Sequence, residues 1–82
     1  SANNIYHSDE KVWCPPDNSL NVKTIEQTLA TIDRKGNDGL PNVSVVDTYI
    51  QNGIPCVKFI VTGNKNTTYK ASVNFYIRGT WK

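Results

Sequence analysis

Cys14 and Cys56 are the only cysteines in an 82-residue chain, and they lie 42 positions apart. If joined, they fasten a proline-rich leading segment to the apolar run 54–62 and place the protein outside the reducing cytosol. If free, they are two small, buried thiols. The bond is the reading adopted, because a chain this short draws only about 3–5 kcal/mol from one hydrophobic core. Closing a loop of about 43 residues contributes roughly 4 kcal/mol on a chain-entropy view, an upper figure.

Compartment follows from the same reading. The sequence contains no methionine, and no apolar run reaches the length of a signal segment or a membrane span. A leader removed on export accounts for both observations. The chain is therefore expected to be exported, periplasmic or extracellular, with no membrane span. Lys11-Val12-Trp13 lack the small residues that precede a lipidated cysteine. A net charge of +2 is too small to point to nucleic acid. Asn42-Val43-Ser44 and Asn66-Thr67-Thr68 match glycosylation acceptors, which matter only in a eukaryotic source.

The pattern reads as one domain over 1–82. Residues 1–19 form an extended arm, since Pro15-Pro16 bars a helix there. Over 21–35, Val22, Ile25, Leu29 and Ile32 recur at i, i+3, i+7 and i+10, the stripe of an amphipathic helix. Asn21 suits its N-cap, Arg34 and Lys35 its last turn, and Gly36 its end. Thr24, Thr28 and Thr31 weaken helix propensity, so packing would have to hold it. Breakers fill 36–42.

Strands follow over 43–51, 54–62 and 68–78, the last extending toward Trp81, within a sheet spanning 43–81. Asn52-Gly53 is the strongest hairpin signal, a type I′ turn. Val43 and Val45 alternate in one phase and Val46, Thr48 and Ile50 in the other, so a bulge is expected at Val45-Val46. Val73, Phe75 and Ile77 face one way, and Ser72, Asn74, Tyr76 and Arg78 the other. The expected fold is α+β: one amphipathic helix packed on a three-stranded antiparallel meander, in the order α-β-β-β, with the arm tethered by one disulfide. Cys56 lies out of phase with Phe59, so the bond brings the arm over the far face or round the edge. There Trp13 would cover Ile50 and Ile60.

Chemistry is sparse. His7 is the only histidine and sits in the arm among Ser8, Asp9 and Glu10, without the rigid frame that nucleophilic catalysis needs. Carboxylates are scattered, and no close pair of metal ligands occurs. No catalytic residue, metal site or cofactor is assigned, and the chain reads as non-enzymatic. Lys58, Lys70, Tyr76 and Arg78 fall on what would be the outer face of the last two strands. Basic residues around an aromatic suit an anionic glycan; a solvated face with snorkelling lysines is the simpler account. Trp81 and Tyr6 are either core caps or contact residues.

The first strand carries only Asp47 to protect its edge, so either the arm or another chain is expected to pair with it. A helix followed by an antiparallel meander with one disulfide resembles, in element order, the globular head of type IV pilins. That resemblance implies a structural subunit. The leading expectation is a small exported protein-binding module: an accessory, inhibitor or immunity-type partner in a cell-envelope or secretion context. Its partner is another protein or a second copy of itself. A secreted glycan- or anion-binding module using the four residues above is the alternative.

Overall fold

The computed structural model describes residues 5–33, 41–64 and 72–82, and every regular element among them is a strand. They are β1 (Ile5–His7), β2 (Lys11–Trp13), β3 (Val22–Asp33), β4 (Asn42–Gln51), β5 (Ile54–Asn64) and β6 (Ser72–Trp81). β5 is central to one antiparallel sheet, with β4 on one edge and β2 and β1 in succession along the other. β3 and β6 form a separate antiparallel ribbon.

The helix expected over 21–35 is absent, and the α+β, α-β-β-β architecture gives way to an all-β one among the described residues. The ribbon register explains the misleading period. Val22, Ile25, Thr28, Ala30 and Ile32 stand opposite Trp81, Gly79, Ile77, Phe75 and Val73, so all share one face. Register shifts at Val22/Thr24 and Ile25/Gln27 each insert one extra residue into β3. A strand's period of two thereby becomes two successive steps of three, 22 to 25 to 28, which imitate a helical stripe. Leu29, which that stripe needed, is 51% exposed opposite Tyr76. Val22, Thr24, Ile25, Thr28, Thr31 and Ile32 make half of this twelve-residue segment β-branched, and that bias prevailed. Without a helix, the element order behind the pilin resemblance is gone.

The meander is corrected as well. β4 and β5 form the hairpin, but β6 pairs with β3 instead of β5. The second edge of β5 is taken by the arm, with Trp13 opposite Val57 and Lys11 opposite Phe59. Between β1 and β2 the buried Ser8 keeps the ladder intact. Its N–H donates to the Val61 carbonyl at 2.8 Å, and its hydroxyl accepts the Val61 N–H at 2.9 Å. The arm therefore pairs with β5 and leaves β4 alone; β4 is flanked instead by β3.

Other expectations hold. Cys14 is bonded to Cys56. Asn52 and Gly53 both take positive φ, 54° and 79°, as a type I′ turn requires. The bulge in β4 lies between Val45 and Asp47. In β6, Val73, Phe75 and Ile77 are half-buried while Ser72, Asn74, Tyr76 and Arg78 are exposed.

The two sheets join at the start of β3, where the Val22 N–H donates to the Gly53 carbonyl at 2.8 Å. The strands thus follow one another as β2, β5, β4, β3, β6. This array curls until its ends meet: Phe75 of β6 stacks on Trp13 of β2, with ring centroids 5.3 Å apart. Phe75 also meets Phe59 edge-on at 5.2 Å. Val57, wholly buried, lies with Phe59, Val43 and Val22 in the core. Trp13, opposite Val57, therefore belongs to this inner face and not to the far one with Ile60; the β4 bulge brings Ile50, opposite Pro55, to the inner face as well.

Candidate functional site

The two ends of the curled array touch through rings, and no backbone ladder joins them. β2 stops at Trp13 and runs into Pro15-Pro16, whose nitrogens carry no hydrogen to donate. β6, for its part, pairs only with β3 among the described residues. Past the Trp13–Phe75 contact lies a cleft of about 370 Å³.

One wall carries Trp13, Pro15 and, from β5, Pro55; the other is β6 along its run from Phe75 to Trp81. Leu20 and Val22 complete the lining. The cleft is thus mostly apolar, and its outlying rings are accessible: Trp81 is 63% and Tyr76 57% exposed. Among the described residues, Arg78 is the only basic one lining it, and no acidic one does.

Local sequence fixes this geometry. The disulfide holds Cys14, and with it the Trp13–Pro15 lip, against the deeply buried Cys56 of β5. Leu20 is set by a turn in which the Asp17 carboxylate accepts both the Ser19 hydroxyl, at 2.6 Å, and the Ser19 N–H, at 2.9 Å. Those two bonds, the hydroxyl first, hold the Asp17 carboxyl below its ordinary range. Gly53 packs against Leu20 and Asn21 and anchors the segment to the β4–β5 hairpin.

The structure separates the residues singled out from sequence. Tyr76 and Arg78 stand on the outer face of β6, opposite Leu29 and Gln27, and border the cleft. Lys58 lies in the other sheet, between Val12 and Asp47, with its ammonium 5.8 Å from the centre of the Tyr49 ring. Lys70 lies outside the described residues, as do Asn66 and its neighbours. No local pattern in the sequence marks Leu20, Pro15 and Pro55 as neighbours in one cleft. Trp81 was legible only as an aromatic without an assignment.

Among the described residues, no group of three His, Cys, Asp or Glu is placed to hold a metal ion, and no helix is long and apolar enough to cross a membrane. Among the described residues the arrangement offers ring faces, a strand edge without a partner strand and one guanidinium, which is chemistry for contact. The chain matches no family model, no curated protein and no solved structure.

Proposed function

We propose that this chain is a small exported, non-enzymatic protein-binding module whose contact surface is the cleft between β2 and β6. The observation behind this reading is the accessible aromatic lining: Trp13, Phe75 and Trp81 meet at a cleft whose one charge among the described residues is Arg78. Large exposed rings with a single arginine are the composition that protein contacts favour. The disulfide suits an oxidising compartment, in keeping with an accessory, inhibitor or immunity-type role in a cell envelope or secretion system. A glycan- or anion-binding role for Lys58, Lys70, Tyr76 and Arg78 has less support, since Lys58 and the β6 pair belong to different sheets.

A photo-reactive benzoylphenylalanine in place of Tyr76 tests this reading, with the same group at the exposed Ser44 as control. In extracts of the native source, the Tyr76 probe is expected to cross-link a protein that the Ser44 probe does not. Excess wild-type chain should compete for it, and Trp81→Ala should not. Equal labelling from both positions would remove the proposal.

A further inference from the structure

We infer that the β6 edge accepts an extended peptide segment from a partner protein as an additional antiparallel strand, filling the gap between β6 and β2. This rests on the protein-binding reading above and specifies its ligand.

Three observations select that occupant. The first is backbone. The Lys82 N–H donates to the Asn21 carbonyl at 2.9 Å, on the β3 side of the ribbon. N–H and C=O of one residue in a strand point to one edge, and successive residues alternate. Trp81, Gly79, Ile77 and Phe75 therefore turn their peptide groups to the opposite edge, along the cleft. Such an edge is a template for an incoming extended chain.

The second is direction. β2 and β4 are each antiparallel to β5, and β3 is antiparallel to β6. The Gly53 turn at the end of β4 meets Val22 at the start of β3, so those two strands also run oppositely. β2 and β6 consequently run the same way. A segment antiparallel to β6 is antiparallel to β2 as well, and completes the alternation.

The third is charge, and it chooses between a partner and a second copy. The open run from Phe75 to Trp81 is centred on Arg78. Two copies pairing antiparallel about that centre would set Arg78 against Arg78, and like charges directly opposite are destabilising. A partner segment with apolar side chains on the cleft side and a carboxylate facing Arg78 meets no such conflict. Its inward side chains join Phe75, Ile77 and Trp81 on their face, and its outward ones join Tyr76 and Arg78.

The test begins with random decapeptides displayed on phage and selected on the intact, oxidised protein. Recovered peptides are expected to alternate apolar and polar residues and to carry an Asp or Glu. Bound peptide should slow amide exchange at Phe75, Ile77 and Trp81 by about tenfold or more, while the amides of Tyr76 and Arg78, which face β3, change little. N-methylation of alternate peptide residues should abolish binding in one phase and spare it in the other. Arg78→Glu should weaken the acidic peptides by about threefold to fivefold, with the amide spectrum otherwise retained.

Failure to recover a peptide overturns the inference. So does a peptide that protects none of the three amides, or concentration-dependent dimerisation that protects them without peptide. The cross-linking experiment is read separately: a partner captured at Tyr76 by a protein whose β6 amides stay unprotected would keep the binding module and dismiss strand addition.

Discussion

Gly79 on β6 and Thr24 on β3 stand so close that a β-carbon on the glycine would collide with the Thr24 carbonyl oxygen. The contact falls where two bulges tighten β3, and the Thr24 and Thr80 hydroxyls bond across the ribbon beside it at 2.6 Å. Backbone, not a flexible side chain, blocks the space. Gly79→Ala should therefore cost about 2 kcal/mol in denaturant unfolding, the scale of overpacking at a site that cannot yield.

Phe75 is the one side chain that stacks on Trp13 and meets Phe59 edge-on. Phe75→Ala should lower stability by about 2–3 kcal/mol, less than for a fully buried ring because this one is half-buried. Trp13 emission should shift to the red as its stacking partner is lost. A stability loss without that shift would place the ribbon elsewhere on the sheet.

Thr28 sits on the inner face of β3 opposite Ile77, and its buried hydroxyl has no hydrogen-bond partner. Thr28→Val keeps the shape and removes a desolvated polar atom. It should raise stability by about 1 kcal/mol, measured by the urea midpoint at unchanged slope.

The Cys14–Cys56 bond supports the cleft as well as the fold. The double variant Cys14→Ser/Cys56→Ser should lose about 3 kcal/mol of stability. Where it remains folded, in cold buffer, selected peptides should bind it more weakly because the Trp13–Pro15 lip has lost its anchor. Alkylation of native protein before intact-mass measurement should add nothing.

The Asp17 carboxyl is held below its ordinary range by the Ser19 hydroxyl and then by the Ser19 N–H. A carboxyl lowered in the folded state contributes stability above its unfolded value and loses it as pH falls through the lower, folded value. The turn carrying Leu20 should thus loosen only in strong acid. Ser19→Ala should raise the Asp17 midpoint seen by NMR while leaving the backbone bond to shift it partly.

Features set by two or three neighbouring residues were readable in the chain. Asn52-Gly53 specified its own turn, the phase change around Val45-Val46 announced the β4 bulge, and alternation marked the faces of β6. The failure at 22–33 came from pairing information that a single strand does not contain. Two bulges produced three-residue steps, and only the partner strand reveals that Lys23 and Glu26 are the extra residues. The cleft was hidden for a related reason. Leu20, Pro15 and Pro55 come together in a structure where β6 pairs with β3 and the arm holds the edge of β5.

The disulfide has a mechanical corollary. It welds one jaw of the cleft to β5, the strand flanked by β4 on one side and by β1 and β2 on the other, while the facing jaw, β6, has backbone pairing with β3 alone among the described residues. Any change in the width of the cleft should therefore be carried by the ribbon, with the cross-linked lip as its fixed reference.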